Sequence, residues 1–514
     1  MSTMDHQTAL QNRASGIFMH ITSLPSPYGI GTFGKEAYRF VDFLHAAGQR
    51  YWQILPLGPT GYGDSPYQTF STFAGNPYLV DLDLLVKDRL LKREELQGID
   101  WGRSEKKTDF AKIYAHRGEV LRKAYARGWQ KEAAGIRKFE LENHEWLDGF
   151  ALYTALKKHY EGKPWLQWPE EIRTAWQSPD RENILSRCRS DLLDDVQYQI
   201  FVQYEFDKQW TALRAYAVKN GIAFIGDVPI YVPLDSSDVW CAPDQFQLDE
   251  NLKPKEVAGV PPDAFTADGQ LWGNPLYDWD HMKQDGYRWW IRRLKAAAEL
   301  FDVVRIDHFR GLASYWAVPA KDRTARGGSW KPGPGKEFIR TIREACPEIR
   351  FIAEDLGFHT PDVQELLDYS GFPGMKVLEF AFNNREPSDY LPHSYPNNCV
   401  CYVGTHDNAT CAQWLHELSR SDRAYAKGYM GLNEQEGYVN GVIRAGMGSD
   451  ADLFVSQMQD WLLLGKEARM NLPGSFGSPN WQWRMTRGVL DARLRKRIRY
   501  MTQIYGRLPD QFSR

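Results

Sequence analysis

Three carboxylates that are far apart in the sequence each follow a short apolar run. They are Asp307, Glu354 and Asp407. A pair of such groups can cleave a glycosidic bond, because one carboxylic acid protonates the leaving oxygen while a carboxylate attacks the sugar or activates water. Three carboxylates in one place repel one another, so we expect at least one of them to hold a proton near neutral pH. The third acid could hold sugar hydroxyls as the ring distorts.

A cation shares the strand that leads to the first of these acids. In a strand, Arg305 and Asp307 point to one side while Val304 and Ile306 point to the other. A guanidinium beside a carboxylate keeps the acid ionised and oriented, which suits a nucleophile. The alternative is a structural ion pair that closes the strand. His308 alternates to the opposite side and is interpreted as structural.

The strands that must position these acids are predicted from short β-branched and aromatic runs. Asp227, Asp307, Glu354 and Asp407 all fall at the carboxyl ends of such runs. Barrel enzymes place their chemistry at that end. The sequence therefore predicts an α/β protein built on a (β/α)₈ TIM barrel rather than an open doubly wound sheet. The predicted strands are residues 16–21, 51–55, 222–227, the segment around Val303, 349–355, 375–380, 398–404 and 468–472.

The domain organisation follows from where this alternation is interrupted. We expect a polar N-terminal arm over residues 1–15 and a catalytic barrel over 16–514. Residues 80–221 show helical periods without strand alternation, which predicts a helical insertion between the second and third strands. The segment 250–275 is too long for a simple connection between two elements and is expected to form a lid. The Gly- and Pro-rich loop 56–68 carries rings and hydroxyls suited to a sugar pocket, although a rigid loop without a ligand would look similar.

Composition narrows the class of function. The 19 Trp and 26 Tyr residues suit a carbohydrate site, although most are expected in the core. A formal net charge of −3 with interspersed signs argues against a nucleic-acid partner. The sequence has neither an apolar run long enough to span a membrane nor a hydrophobic signal core, and its six cysteines form no CxxC pair. We therefore expect a cytoplasmic protein, whose oligomeric state the sequence leaves open.

A metal or cofactor is not expected. The acids could bind Mg²⁺ or Mn²⁺, but the sequence contains no phosphate-binding or dinucleotide-binding glycine motif. His406 has no companion histidine at ligand spacing, which favours hydrogen bonding to substrate or to Asp407. Cys399, Cys401 and Cys411 could form a metal cluster, but buried small hydrophobic residues are the favoured interpretation.

Several ordered motifs around these acids are similar to those of one known family. The acids lie in Arg-Ile-Asp-His-Phe-Arg-Gly at 305–311, Ala-Glu-Asp-Leu-Gly at 353–357 and Gly-Thr-His-Asp-Asn at 404–408. These motifs resemble those of 4-α-glucanotransferases, also called amylomaltases or disproportionating enzymes, which are relatives of the α-amylases. Further similar segments, at 24–31, 61–68, 261–275, 471–474 and 480–484, extend the resemblance over nearly the whole chain.

The resemblance implies an activity with a donor and an acceptor. A segment of an α-1,4-glucan would be transferred to glucose or a maltodextrin by a retaining double displacement, without a cofactor. An α-glucan hydrolase of the amylase type is the alternative, and a non-catalytic glucan-binding protein is a second. Preferred chain length and the formation of cyclic products stay open.

The resemblance also implies roles for single residues. Asp307 would be the nucleophile, Glu354 the acid/base and Asp407 the third acid, which stabilises the transition state. One departure is Ala409, where the family often carries another acid. Arg305 and His406 would orient the nucleophile and the sugar, and the residues expected to line the glucan groove are Tyr62, Ser65, Asp227, Asp263, Phe265, Gln270, Trp272, Asn471 and Pro473.

Overall fold

Parallel strands dominate the part of the chain that the computed structural model describes. The described residues are 13–61, 63–262, 266–357, 360–386, 388–475 and 477–509. Most of the strands are short and carry apolar side chains that are buried on both faces, as expected for a parallel sheet. The strands in these ranges are β1 (Ala14–Phe18), β2 (Tyr51–Gln53), β3 (Ala223–Val228), β4 (Glu256–Val260), β5 (Gln270–Pro275), β6 (Val303–Ile306), β7 (Ser314–Pro319), β8 (Ser329–Pro332), β9 (Arg350–Ala353), β10 (Gly374–Val377), β11 (Cys399–Tyr402) and β12 (Leu453–Gln457).

Eight of these strands form the predicted barrel. Their order is β10-β11-β12-β1-β2-β3-β6-β9, and every neighbouring pair is parallel. The amide of Ala353 in β9 donates to the carbonyl of Pro373, just before β10, at 2.9 Å and closes the ring. The prediction of a (β/α)₈ barrel is confirmed, so the carboxyl ends of all eight strands share one mouth.

The predicted eighth strand was wrong. Residues 468–472 lie outside the sheet, and β12 (Leu453–Gln457) occupies that place between β11 and β1. The reason is burial: Leu453, Phe454 and Val455 form a continuous run with no exposed surface. The later segment carries Arg469 and Asn471, whose polar side chains turn toward the barrel mouth.

Several predicted strand boundaries also shift, most of them because the strands end two or three residues earlier than expected. β1 begins at Ala14, so residues 14 and 15 belong to the barrel and not to the N-terminal arm, because the amide of Ala14 donates to Asp452 beside β12 at 2.8 Å. Residues 1–12 lie outside the described residues. The sixth barrel strand, β10, stops at Val377 and gives way to a 3₁₀ turn over Leu378–Phe380.

Helices alternate with the barrel strands and cover the outside of the sheet. Within the described ranges the α-helices are α1 (Lys35–Ala46), α2 (Leu82–Lys87), α3 (Phe110–Lys131), α4 (Ala133–His159), α5 (Glu170–Arg173), α6 (Arg181–Asp191), α7 (Leu193–Lys219), α8 (Ser237–Cys241), α9 (Trp279–Gln284), α10 (Arg288–Leu300), α11 (Gly335–Ala345), α12 (Pro361–Ser370), α13 (Cys411–Glu417), α14 (Arg420–Met430), α15 (Tyr438–Gly448), α16 (Met458–Trp461) and α17 (Ala492–Ile504). None of the helices in these ranges is long and apolar enough to cross a membrane.

The segment between β2 and β3 holds helices α2 to α7. Its last helix returns to the barrel, because Trp210 of α7 packs on Phe224 of β3 with ring centroids 4.7 Å apart. The indole of Trp210 also donates to the carbonyl of Leu300, just before β6, at 3.2 Å. α7 therefore serves as the helix that leads into β3.

The expected lid is more regular than a loop. β4 and β5 pair antiparallel within residues 250–275, and β7 and β8 extend them into a four-stranded sheet in the order β5-β4-β7-β8. Val257, Val318 and Ala325 form a small separate core on one face of this sheet. A packed sheet of this kind can hold Gln270 and Trp272 of β5 in fixed positions at the barrel mouth.

Candidate active site

Asp307 and Glu354 are neighbours across two adjacent strands. β6 and β9 are in register, with Ile306 opposite Ala353, so the next residue on each strand is one of the two acids. The amide of Glu354 donates to the carbonyl of Ile306 at 3.0 Å, which continues the ladder to the acids themselves. The two carboxyl groups therefore leave the barrel side by side at its mouth.

The carboxyl group of Glu354 is held by backbone amides. Its Oε2 accepts from the amide of His308 at 2.7 Å, and its Oε1 accepts from the amide of Leu356 at 2.9 Å. Burial raises the pKa of Glu354, while Arg305 and the two amides oppose this. Each oxygen keeps a second lone pair, so the group can carry a proton without losing its orientation.

His308 contributes through its backbone as well as its ring. The residue has a left-handed φ of 53°, which turns its amide toward Glu354. Its ring meets the edge of Trp272 with centroids 4.8 Å apart. Sequence periodicity alone could not show this, because the turn after β6 breaks the strand alternation.

Asp307 belongs to a chain of charged groups. Arg305 donates through Nη1 to Asp307 at 2.9 Å and to Asp227 at 2.6 Å, and Tyr67 donates its hydroxyl to Asp227 at 2.6 Å. The side chain of Asp307 is 28% exposed, whereas that of Asp227 is 2% exposed. Burial raises the pKa of Asp307, Arg305 lowers it, and Asp227, Glu354 and Asp407 raise it further. The net result is a pKa of Asp307 well above its ordinary value, and the hydrogen bond from Arg305 is the contact that favours its ionised form.

Asp407 is oriented by a neighbouring loop. Asn471 donates its side-chain amide to Oδ1 of Asp407 at 2.7 Å, and Nε2 of His406 lies 3.4 Å from the same oxygen. His406 is itself covered by the rings of Tyr67 and Trp481. Burial lowers the pKa of His406, which keeps its ring neutral at neutral pH.

A cavity of about 640 Å³ opens over this mouth. Of the predicted residues, it is lined by Ser65, Gln270, Trp272, Asp307, His406, Asp407, Asn471 and Pro473. Arg305 and Asp227 do not line the cavity; both are buried and bond to lining residues, Arg305 to Asp307 and Asp227 to Tyr67. Glu354 is not among the lining residues either and lies beside Asp307. Tyr62, Asp263 and Phe265 lie outside the described residues. The cavity therefore combines acids, amides and aromatic rings, as a site that recognises sugar hydroxyls and cleaves glycosidic bonds requires.

Comparison with known proteins agrees with this chemistry. A family model described as 4-alpha-glucanotransferase matches residues 19–490. The chain belongs to the 4-alpha-glucanotransferase family. It is therefore an enzyme that transfers a segment of an α-1,4-glucan to an acceptor by a retaining double displacement, and the alternative of an α-glucan hydrolase is not favoured.

Relatives of the same family are similar over almost their whole length. The 4-alpha-glucanotransferase of Streptococcus pneumoniae serotype 4 is 46% identical, covering 97% of this chain and 98% of the relative. That of Thermus thermophilus is 44% identical, covering 96% and 99%. The solved amylomaltase of Streptococcus agalactiae, in complex with acarbose, matches with a TM-score of 0.93 at 41% identity, covering 97% of this chain and all of that one.

Some residues at this site are not among those expected to line the groove. Tyr67, a ring of the predicted sugar loop, stacks on His406 with centroids 5.2 Å apart and donates to Asp227. Trp481 and Tyr231 also line the cavity, but nothing in their spacing distinguishes them from core aromatics. Arg469 was placed in a strand that does not form. Its contacts with the Asp407 loop appear only in three dimensions.

Proposed function

We propose that Asp307 is the nucleophile, Glu354 the general acid and base, and Asp407 the acid that stabilises the transition state. The observation that carries this proposal is the adjacency of Asp307 and Glu354 at the ends of β6 and β9, where the two acids accept from different donors. Asp307 receives the charge of Arg305, and Glu354 is held by neutral amides. The substrates are an α-1,4-glucan donor and a sugar acceptor.

The first displacement forms a glucosyl ester on Asp307. A carboxylate oxygen of Asp307 attacks the anomeric carbon, and the bond from that carbon to the glycosidic oxygen breaks. Its electron pair stays on the leaving oxygen, which takes the proton of Glu354. Asp407 carries negative charge near the ring while the anomeric carbon is cationic, and this charge stabilises the oxocarbenium-like transition state.

The second displacement returns the enzyme to its starting state. Glu354, now ionised, removes the proton from a hydroxyl of the acceptor sugar. The acceptor oxygen attacks the anomeric carbon, and the ester bond to Asp307 breaks with its electrons returning to the carboxylate. One glycosidic bond has been broken and one formed, with retention at the anomeric carbon.

The groove residues are proposed to bind the sugar rings on either side of the cleaved bond. Ser65, Gln270, His406 and Asn471 offer hydrogen bonds, and Trp272 and Pro473 offer apolar surface. The relative from Streptococcus agalactiae was solved in complex with acarbose, which supports a sugar-like ligand for this chain. Tyr62, Asp263 and Phe265 remain proposed members of this groove, Asp227 is proposed to act through Arg305, and the chemistry needs no metal or cofactor.

Substitution of the nucleophile tests the proposal. Asp307→Asn should fold and bind maltodextrin but release no glucose from maltotriose. Asp302→Asn is a matched control, because Asp302 pairs with Arg214 at 2.9 Å at the amino end of the same strand. Wild-type turnover in Asp307→Asn would refute the assignment. The proposal is supported if the wild type converts maltotriose into a ladder of longer maltodextrins and Asp302→Asn gives nearly the same products at nearly the same rate.

The domain and cellular assignments are also proposals. Residues 14–514 are proposed to act as one catalytic domain, with 80–221 as its helical insertion and 250–275 as its lid. The enzyme is proposed to act in the cytoplasm, which is supported by its six cysteines, all free thiols. Activity that appears in the cytoplasmic fraction of the source cells supports this location, and activity outside the cytoplasm contradicts it.

A further inference from the structure

One guanidinium joins the two loops that meet at Asp407. Arg469 donates through Nη2 to the backbone carbonyl of Asp407 at 2.7 Å and through Nε to that of Asn471 at 2.8 Å. The first carbonyl belongs to the loop after β11, and the second to the chain beyond α16. A planar guanidinium presents its donors in a fixed fork, so these two contacts set the distance between the loops.

The joined loops are the ones whose side chains meet at the third acid. Asn471 donates its side-chain amide to Oδ1 of Asp407 at 2.7 Å, and its backbone amide donates to the carbonyl of His406 at 3.1 Å. Arg469 therefore binds the carbonyl of the acid and the carbonyl of the residue that orients it. A shift of either loop would lengthen the bond between Asn471 and Asp407.

Other constraints on the side chain of Asp407 are weaker. It is 46% exposed, and the ring nitrogen of His406 lies at 3.4 Å. The hydroxyl of Thr405 accepts from the backbone amide of Asp407 at 3.3 Å, a contact that does not involve the carboxylate. Position 409 is a buried alanine, so it supplies no carboxylate to this neighbourhood. The orientation of Asp407 depends on the alignment of the two loops.

We propose that Arg469 is a positioning residue that holds Asp407 in its catalytic orientation. The proposal rests on the role proposed above for Asp407. Arg469 acts through the carbonyl groups of Asp407 and Asn471 and does not touch the sugar. Its loss should lower kcat and leave KM nearly unchanged, because Asp407 acts on the charge that develops in the transition state.

The test compares Arg469→Met with the wild type in glucose release from maltotriose. Displacement of a catalytic group by about 1 Å costs roughly 100-fold in rate, so we expect kcat to fall about 10- to 100-fold and KM to stay within about threefold. Arg469→Lys should recover part of kcat, since an ammonium can reach one carbonyl but lacks the fork. A rise in KM at constant kcat would overturn the proposal and make Arg469 a substrate-binding residue.

Arg214→Met is the matched control. Arg214 also ties two backbone carbonyls, those of Glu299 at 2.8 Å and Phe301 at 3.4 Å, but at the amino end of the barrel. Its loss should lower the thermal midpoint and leave kcat within about twofold, because it lies far from the mouth. If Arg469→Met does not fold, the comparison uses Arg469→Lys, and wild-type kcat in that variant overturns the proposal.

A double variant separates this proposal from that for Asp407. If Arg469 acts through Asp407, adding Arg469→Met to Asp407→Asn should change the residual kcat by less than about twofold. Independent effects that multiply would contradict the proposal for Arg469 alone. Wild-type activity in Asp407→Asn would instead refute the role of Asp407, whatever Arg469→Met shows.

Discussion

Asp227 and Asp307 accept hydrogen bonds from the same Nη1 atom of Arg305, at 2.6 and 2.9 Å. The first acid is buried near the end of β3, and the second opens to the cavity at the end of β6. One cation thus serves two carboxylates, of which only Asp307 can reach a substrate. Tyr67 completes the group by donating to Asp227, and burial keeps its hydroxyl protonated by raising its pKa well above the ordinary value.

The shared cation predicts how Asp227→Asn changes the pH profile. Asp227 raises the pKa of Asp307 through its negative charge, so removing that charge should lower the pKa of Asp307. Asp307 must be ionised to attack, and its protonation limits activity on the acid side. We therefore expect the acid limb of kcat/KM to move to lower pH in Asp227→Asn, measured with maltotriose. An acid limb that stays in place or moves to higher pH would contradict this reasoning.

Glu354→Gln should separate the two displacements. Glutamine keeps one oxygen, which can accept from the amide of either His308 or Leu356, and its NH2 group cannot donate a proton to a sugar leaving group as a carboxylic acid does. General acid catalysis contributes about 100- to 10,000-fold, and we expect a loss of that size with maltotriose. α-Glucosyl fluoride needs no proton to leave, so it should still label the enzyme. Mass spectrometry of the labelled peptides should find the glucosyl group on Asp307.

A label on any other residue would refute the assignment of the nucleophile. The control is Glu354→Gln combined with Asp307→Asn, which should take no label from the fluoride. If the single variant turns maltotriose over at the wild-type rate, Glu354 is not the acid.

Trp272 should influence the balance of transfer and hydrolysis. Its ring lines the cavity and meets the ring of His308, whose amide holds Glu354. Trp272→Ala would open this side of the mouth to water, which competes with the acceptor for the glucosyl ester. Transfer conserves the number of reducing ends and hydrolysis increases it. A reducing-sugar assay on maltotriose should therefore show a larger hydrolytic share in Trp272→Ala.

Trp330→Ala is the control for that experiment. Trp330 lies on β8 of the same sheet, is 42% exposed and does not line the cavity. Its loss should leave the product ratio unchanged. An equal rise of hydrolysis in both variants would mean that general loosening of the sheet, and not the Trp272 ring, admits water.

The sequence indicates the barrel and its acids because both depend on local pattern. β6 and β9 are each followed directly by an acid, and β3 has an acid as its last residue but one. The carboxyl ends of parallel strands in a barrel must meet at one mouth. Asp307 and Glu354 could therefore be predicted as neighbours. The alternation that places Arg305 beside Asp307 is equally local.

The parts that could not be predicted depend on contacts between distant segments. A short segment such as β12, in which three apolar residues precede Ser456 and Gln457, is ambiguous between strand and helix until β1 and β11 pair with it. The amide of His308 reaches Glu354 only through a left-handed turn, and Arg469 reaches Asp407 only across two loops. Periodicity carries no information on such contacts.

A buried acid behind the site predicts how stability depends on pH. Asp460 in α16 is fully buried, and Oδ1 accepts from the amide of Cys411 at 2.7 Å, while Oδ2 has no partner among the described residues. Burial raises the pKa of Asp460 to about 7. In the folded state the group therefore stays protonated to near neutral pH, whereas in the unfolded chain it ionises near its ordinary value of about 4.

Between these two values the unfolded state binds fewer protons than the folded state, so this group makes the wild type less stable as pH rises from about 4 to 7. Asp460→Asn removes the titration and can keep the bond from Cys411. Relative to the wild type, the free energy of unfolding of the variant should rise with pH across this window and level off above pH 7. The rise corresponds to a change of about tenfold per pH unit in the ratio of the two folding equilibrium constants. Asp238 and Glu205 also have pKa values raised to about 7. Both proteins contain these two acids, so their contribution to the pH dependence of stability cancels when the variant is compared with the wild type. Urea denaturation of both proteins at pH 4.5, 6 and 7.5 measures this difference in the free energy of unfolding. A difference that does not change with pH would mean that Asp460 is ionised in the folded protein.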